Sequence, residues 1–228
     1  MTLAKTCAAA LAAILATGCR QNPKVQEEEP PTVVLDSHAL GEGLSENFEG
    51  AALDKQVWRA TSGGYAIEDG ALRAKSCRNR PLWLKRKLPC NVRIDFTAWS
   101  DSPDGDLKVE VMGDGSSYDP DEGSYEATGY VFIFGGWANS VSTIVRLDEH
   151  RARLVTDERT RVEQGRKYRW SIRFTGGRIE WWVDDALFLA ADDPQPLCGP
   201  GHDHFAVNNW AVPIHIDDLS IVLLAANP

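Results

Sequence analysis

Hydrophobic and polar residues alternate along short runs from residue 58 onward, and Gly, Pro, Asn and Asp separate these runs. In "NVRIDFTAW" the apolar register holds Val92, Ile94 and Phe96, with polar residues such as Arg93 between them. Alternation with a period of two predicts half-buried β-strands. Apolar stripes of helical period extend no further than two turns. The pattern therefore predicts an all-β fold, a two-sheet antiparallel β-sandwich of the jelly-roll type.

Turn residues between the runs predict hairpins. Asp69-Gly70 divides "YAIEDGALRAKS", and Gly176-Gly177 divides "YRWSIRFTGGRIEWWVDD". Such pairs supply the backbone angles that tight hairpin turns require. A third hairpin is predicted for "GYVFIFGGWANSVSTIVRL", with its turn across "WAN".

The N-terminal segment has the features of an export signal. Lys5 precedes the apolar run "CAAALAAILATG", which is too short to span a bilayer as a stable helix. The following "LATGC" resembles the lipobox of bacterial lipoproteins, which implies cleavage and lipidation at Cys19; an ordinary signal peptide is the alternative. We therefore predict a signal peptide at 1–18, a lipid-anchored disordered tether at 19–43 and a domain at 44–228. The predicted location is the cell envelope, on the outer-membrane or periplasmic side.

Charge and cysteine content narrow the possible partners. The net charge of −9 argues against nucleic acid, and against anionic lipid beyond the anchor, and it favours a neutral ligand or a cation. Within the domain, Cys77, Cys90 and Cys198 allow one disulfide and one free thiol. A strand over "PLWLKRKL" would hold Cys77 and Cys90 ~20 Å apart. We therefore expect Cys198 to pair with one of these two.

Five segments together carry a family resemblance. The order "NFEGAALDKQVWRAT", "YAIEDGALRA" and "NVRIDFTAW", followed by "GRKYRWSIRFTGGRIEWWVDDALFLAADD" and "IHIDDLSIVLL", resembles the concanavalin A-like lectin/glucanase superfamily over about residues 45–224. The resemblance implies a concanavalin A-like sandwich with its ligand on a concave face. It also implies a structural calcium ion, with Glu49 and Asp217 as the matching carboxylates.

Catalytic motifs are weak in this sequence. The glucanase motif Glu-x-Asp-x-x-Glu of the superfamily is absent, and Asp148 and Glu149 are adjacent, so they would lie on opposite faces of a strand. "CGPGHDH" places Cys198 near His202 and His204, but a polar loop explains these residues better than a nucleophile or a zinc site. The sequence therefore favours a protein that is not an enzyme.

The aromatic residues indicate a binding surface. Trp58, Trp170 and Trp181 are in phase with apolar neighbours and are predicted to be core residues. Other tryptophans lie in polar registers or turns, where an indole face could stack on a sugar ring. The predicted ligand-binding groove consists of Trp99, Trp137, Asn139, Arg146, His150, His204, Asn208 and Trp210. An alternative for Arg146 is a structural ion pair with Asp95 or Glu110.

These observations predict an exported, lipid-anchored domain that binds a neutral carbohydrate, such as a glycan or an envelope polysaccharide, without catalysis. One alternative is a protein-interaction or structural module of the cell envelope. A second is a glycoside hydrolase or polysaccharide lyase with an unrecognised site. The sequence does not determine the oligomeric state.

Overall fold

The alternating runs form two large antiparallel sheets. The structure, a computed structural model, describes residues 38–39, 43–118, 126–150 and 152–225. The predicted signal peptide, Cys19 and most of the predicted tether lie outside these ranges. Among the described residues, no helix is long and apolar enough to cross a bilayer.

The strands are divided between two large sheets and one small one. In order across the seven-stranded sheet lie β12 (Ala152–Asp157), β11 (Val141–Arg146), β10 (Tyr130–Gly135), β9 (Leu107–Gly113), β16 (His204–Asn208), β6 (Leu82–Leu84) and β3 (Trp58–Ala60). The eight-stranded sheet contains β15 (Ala186–Asp192), β14 (Arg178–Val183), β13 (Tyr168–Thr175), β8 (Val92–Ser100), β17 (Ile214–Leu223), β5 (Ala71–Ala74) and β4 (Tyr65–Glu68), with β2 (Leu44–Glu46) also paired to β17. A short parallel pair joins β1 (His38–Ala39) to β7 (Arg86–Lys87). The predicted antiparallel β-sandwich is confirmed.

The core lies between the two large sheets. Along β8 every second residue is buried, as the alternation predicts. From the other sheet, the Phe132 ring meets Trp181 edge-on at 5.6 Å, and Phe134 meets Trp170 at 6.0 Å. Burying one such side chain stabilises the fold by about 2–3 kcal/mol. Trp170 and Trp181, together with Trp58, are core residues as predicted.

Two predicted hairpin turns have the required backbone angles. Asp69 and Gly70 have φ angles of 52° and 74°, and Gly176 and Gly177 have 57° and 91°. Two consecutive positive φ angles match the twist of the flanking strands. At Gly177 a Cβ atom would also lie 2.7 Å from the Asp193 carbonyl oxygen, so only glycine fits there.

The cysteines pair as the sequence indicates. Cys90 and Cys198 form a disulfide with their Cα atoms 5.4 Å apart, and Cys77 is buried as a free thiol. The single strand predicted over "PLWLKRKL" is wrong in detail, because the chain leaves the seven-stranded sheet at Lys85. There β6 ends, and β7 pairs with β1 instead.

The seven-stranded sheet is covered on both faces near its centre. We call the face toward the sandwich core its inner face and the opposite face its outer face. All residues of β9 and β10 are buried, including Lys108 and Glu110 on the outer face. There Val131, Ile133 and Val145 form a small apolar cluster with Ala127. The loops that cover the outer face create the cavity described next.

Candidate ligand-binding site

A cavity of about 510 Å³ lies on the outer face of the seven-stranded sheet. Its volume is within the range of about 300–1,000 Å³ that is typical of small-molecule sites. Its polar lining consists of Asn79, Asp104, Asp106, Lys108, Glu149 and His150. Its apolar lining consists of Ile133, Trp137, Ala138, Trp210, Ala211 and Val212.

Three buried side chains form a closed hydrogen-bonded network at the base of the cavity. Lys108 Nζ donates to Glu149 Oε2 and to Asn79 Oδ1, each at 2.9 Å. Asn79 Nδ2 donates to Glu149 Oε1 at 3.1 Å. Lys108 is only 3% exposed and Glu149 only 5%, so a charge without its partner would be costly here. The network therefore gives the cavity a rigid polar base.

The electrostatics at this base are dominated by carboxylates. Burial opposes the charge on Lys108, but the nearby carboxylates of Asp106 and Glu149 outweigh it and raise the lysine pKa. Burial raises the pKa of Asp106 as well, and the charge of Lys108 only partly offsets this. Lys108 is thus held as a cation, whereas the ionised form of Asp106 is incompletely compensated.

Two tryptophans form aromatic walls of the cavity. Trp137 is 38% exposed and Trp210 is 39% exposed, which is unusual for such large apolar side chains. The guanidinium of Arg153 lies 4.5 Å from the centre of the Trp137 ring, and that of Arg78 lies 4.8 Å from the Trp210 ring. The His150 ring meets Trp137 edge-on at 6.3 Å. The predictions that Trp137 and Trp210 lie at the surface are confirmed.

A left-handed turn, Gly136–Asn139, joins β10 to β11 and carries Trp137. Trp137 has φ 49° and ψ 61°, and Ala138 has φ 56° and ψ 50°. This conformation costs roughly 1–2 kcal/mol for each residue that has a Cβ atom. At Gly135, where φ is 68°, a Cβ atom would clash with Asn139 Oδ1. Tertiary contacts must therefore hold the turn in this conformation.

Asn139 supplies those contacts. Its Nδ2 donates to the carbonyl oxygens of Pro103 and Val162, both at 2.8 Å, and its Oδ1 accepts from the Val162 backbone N–H at 2.8 Å. The amide is thus engaged with backbone from two loops, and Asn139 does not line the cavity. The predicted contact of Asn139 with a ligand is replaced by a structural role, that of holding the turn that carries Trp137.

Trp99 lies on the other sheet, so the predicted groove does not form as one unit. The Trp99 ring is stacked on His215 at 4.7 Å, and Lys167 Nζ lies 4.2 Å from the ring centre. Trp99 belongs to the polar register of β8, which faces outward from the eight-stranded sheet. The polar register was predicted correctly, but it is on the sheet opposite the cavity.

Arg146 is likewise outside the cavity. Its Nε donates to Asp193 Oδ2 at 2.8 Å, and its Nη2 donates to the Gln195 carbonyl oxygen at 3.1 Å. Asp193 Oδ2 also accepts from the Tyr130 hydroxyl at 2.6 Å. The ion pair considered for Arg146 does exist, but neither Asp95 nor Glu110 is the partner. Arg146 is paired with Tyr130 in register and shares its inner-face position, so both side chains reach Asp193, the residue that follows β15.

His204 and Asn208 are buried along β16. His204 is 4% exposed, and its Nδ1 lies 2.7 Å from Asp203 Oδ1. Asn208 pairs in register with Lys108 and is fully buried, with Oδ1 accepting from the Asn209 backbone N–H at 2.7 Å. Neither residue lines the cavity, so three of the eight predicted residues do: Trp137, His150 and Trp210.

The two predicted calcium ligands lie near the start and the end of the domain. Glu49 is exposed, with its carboxylate against the Gly70 turn, and Asp217 Oδ1 accepts from the Asp218 backbone N–H at 2.8 Å. Within the described ranges, no group of three or more His, Cys, Asp or Glu side chains could hold a metal ion. Calcium takes six to eight oxygen ligands, so these two carboxylates would need backbone carbonyls and waters. Calcium stays a prediction.

Sequence reasoning missed most of the polar lining of the cavity. Asn79, Asp104 and Lys108 were not selected, and Glu149 was considered only as a catalytic carboxylate. One available signal was "YVFIFG", which is apolar in both registers of β10. A strand of this kind is buried on both faces. The neighbouring Lys108 would then be a buried lysine, which requires a partner.

Comparisons with known proteins identify the fold. No protein-family model matches the chain, and no curated protein matches it in sequence. Among solved structures, the Ca²⁺/Man2-bound exoplasmic/lumenal domain of VIP36 is similar, with a TM-score of 0.62 and 11% identity over 82% of this chain and 89% of that one.

Two structures from Bacillus subtilis are also similar. Carbohydrate-binding module CBM66 has a TM-score of 0.54 and 14% identity, over 72% of this chain and 94% of that one. A protein of unknown function with a galectin-like fold has a TM-score of 0.55 and 12% identity, over 81% of this chain and 100% of that one. Together with the two-sheet topology, these similarities show that the chain has a concanavalin A-like lectin fold.

Proposed function

We propose that this protein binds a neutral carbohydrate, without catalysis, in the cavity on the outer face of the seven-stranded sheet. The observation that carries the proposal is the pairing of two half-exposed tryptophans with a buried, hydrogen-bonded polar base. The similarity of the fold to a carbohydrate-binding module and to a lectin domain in a Man2-bound form supports it.

The lining groups match the chemistry of a sugar. The apolar face of a pyranose ring packs on an indole, as the exposed parts of Trp137 and Trp210 allow. Hydroxyl groups both donate and accept hydrogen bonds, so they suit a carboxylate such as that of Asp106 beside the Lys108 ammonium. Asp104 and Asp106 would repel an anionic glycan, so a neutral or a cationic one suits the cavity better.

The hydrogen bonds of Glu149 support a binding role for the cavity rather than a catalytic one. A retaining glycosidase needs a carboxylate that is free to attack the sugar, with a second carboxyl about 5 Å away. Both oxygens of Glu149 already accept hydrogen bonds, from Asn79 and Lys108. An attacking carboxylate would have to break this buried network.

A glycan array with the full chain in detergent, followed by calorimetry on the best ligand, tests the binding proposal. Loss of one stacking wall in Trp137→Ala or Trp210→Ala should weaken binding about tenfold or more. Trp182→Ala, which removes a partly buried tryptophan from the eight-stranded sheet, should bind like the wild type. If all three variants bind equally well, the ligand lies elsewhere. Absence of any glycan ligand would instead favour the envelope interaction module.

We also propose that lipid on Cys19 holds the domain on the exported side of a membrane. The support is the sequence "LATGC" after an apolar run and a basic residue. Cys19→Ala should move the protein from the detergent phase to the aqueous phase, or leave an uncleaved precursor. Aqueous partitioning of the wild type would contradict the anchor.

A structural calcium ion held by Glu49 and Asp217 completes the proposal. Its support is the sequence resemblance, together with the Ca²⁺-bound form of the similar VIP36 domain. The ion would stabilise the fold rather than take part in chemistry, because Asp217 on β17 belongs to the sheet opposite the cavity.

A further inference from the structure

Within the described ranges, two carboxylates of the cavity lining have no hydrogen-bond or salt-bridge partner. Asp104 is exposed and Asp106 is partly buried, and both line the cavity. Among the described residues, neither side chain accepts a hydrogen bond or forms a salt bridge, whereas Glu149 is bound through both oxygens. The lining thus contains three carboxylates and one lysine, and this lysine forms its ion pair with Glu149.

The loop that carries these two carboxylates packs on the turn that carries Trp137. The backbone N–H of Asp106 donates to the Gly135 carbonyl oxygen at 2.8 Å, next to the turn that carries Trp137. Between the two carboxylates, a Cβ atom on Gly105 would lie 2.6 Å from that same oxygen, so the loop packs directly on the turn. The cavity therefore places two acceptor groups on a loop that is held beside an indole wall, which lowers the cost of ordering that loop when a ligand binds.

Arg78, Arg153 and Lys108 donate no hydrogen bond to these two carboxylates. Arg153 and Arg78 are stacked on Trp137 and Trp210 and are not part of the cavity lining. Lys108 donates to Glu149 and Asn79. The raised pKa of Asp106 agrees with this, because burial destabilises its ionised form more than Lys108 stabilises it. A cation brought by the ligand would complete the site.

Building on the carbohydrate site proposed above, but with a cationic sugar unit in place of a wholly neutral one, we propose that the cavity prefers sugar units with a free, protonated amino group, bound between Asp104, Asp106 and the indole wall. An ammonium group donates up to three charge-assisted hydrogen bonds to carboxylates, and it is attracted to the face of an indole. N-acetylation removes the charge and leaves one amide N–H. The ligand class is therefore a hexosamine oligosaccharide that is not N-acetylated.

Calorimetry with the full chain in detergent tests this preference. The probes are a glucosamine oligosaccharide and its fully N-acetylated counterpart of the same length, at one pH and ionic strength, with chelator present. The free amine should bind about tenfold tighter or better. Replacing both carboxylates, Asp104→Asn with Asp106→Asn, should remove that advantage, so that the variant binds the two probes with equal affinity. A control that neutralises two acidic surface residues outside the cavity, Glu158→Gln with Asp192→Asn, should keep the advantage.

The outcomes separate this inference from the proposed function. Equal affinity for the two probes overturns the inference and leaves the carbohydrate site standing, as does binding of some other neutral glycan alone. Failure to bind any glycan overturns both. If the amine advantage survives in the Asn variant, or is lost in the control variant, the preference comes from the net charge of −9 and not from the cavity. An advantage seen only when calcium replaces the chelator assigns the carboxylates to a metal ion and also overturns the inference.

Discussion

Lys108 and Glu149 form an ion pair beneath the cavity, with Nζ and Oε2 2.9 Å apart and both side chains almost fully buried. The two residues come from β9 and from the loop after β11, so the pair fastens that loop to the outer face of the sheet. Asn79 bonds to both partners, so each buried charge has a second hydrogen-bond partner in the protein. The geometry of the cavity depends on this pair.

Replacing Lys108 tests how strongly the network supports the fold. In Lys108→Met the chain keeps its bulk, but Glu149 is left buried without its cation, so the free energy of unfolding should fall by about 3–5 kcal/mol. Urea unfolding measures the change. The matched control is Arg169→Ala, which breaks an exposed pair with Asp185 and should cost less than about 1 kcal/mol. Equal, small losses in the two variants would show that the buried pair is not important for stability.

In the left-handed turn we expect a substitution that increases stability. Ala138 is exposed at φ 56°, so Ala138→Gly removes strain of roughly 1–2 kcal/mol, partly offset by the greater freedom of glycine in the unfolded chain. The variant should be more stable by about 0.5–1 kcal/mol. Ala66→Gly, at an exposed position in β4, should instead be destabilised. Chemical denaturation compares the two, and a loss of stability in Ala138→Gly would mean that the turn is not strained.

The raised pKa of the buried Glu110 carboxyl should make the stability of the fold depend on pH. Thr128 and Gly129 backbone N–H groups donate to Oε1 at 2.9 and 2.7 Å, but burial still raises the Glu110 pKa from 4.5 to about 8. Between these values the folded state keeps a proton that the unfolded chain has released. Stability should therefore fall as pH rises through this range, by up to about 1.4 kcal/mol per unit from this group.

Urea unfolding of wild type and Glu110→Gln at several pH values measures the contribution of Glu110. The glutamine variant should lose this slope, because its side chain does not ionise, and its advantage over wild type should grow toward pH 8. Parallel curves for the two proteins would show that Glu110 ionises normally in the folded state.

Calcium removal tests the two carboxylates implied by the resemblance. If Glu49 and Asp217 hold the ion in the native state, a chelator should lower Tm, and added calcium should restore it in proportion to the logarithm of its concentration. Glu49→Gln with Asp217→Asn should melt at the same temperature with and without chelator. If the wild type melts at the same temperature with and without chelator, the proposed calcium site is wrong.

The sequence predicted the sandwich well because each strand follows a local rule. β8 alternates with period two, and Asp69-Gly70 specifies the type of the turn between β4 and β5. The binding residues are different, because their meeting depends on distant segments. Asn79, Asp106 and Glu149 come from three separate loops, and only the packing of β9 beside β10 places Lys108 between them.

The predicted groove does not form as one unit, because Trp99 lies on a different sheet from the cavity that Trp137 and Trp210 line. Trp99 has the polar phase that was expected, but an alternating pattern gives the side of a strand and not the sheet to which the strand belongs. Arg146 shows the same limit, since its partner Asp193 lies 47 residues further along the chain. Predicting this partner would have required the order of the strands in the sheets, and the alternation of apolar and polar residues does not reveal that order.

Titration of the protein with its best glycan, followed by NMR of the indole N–H groups, tests the central claim most directly. The chain has eight tryptophans, and Trp137→Phe and Trp210→Phe assign the two signals of the cavity wall. With the ligand in the cavity, these two signals should shift most, and those of Trp99 and Trp182 on the other sheet should stay in place. Shifts confined to Trp99 or Trp182 would contradict the account, because the ligand would then lie on the eight-stranded sheet.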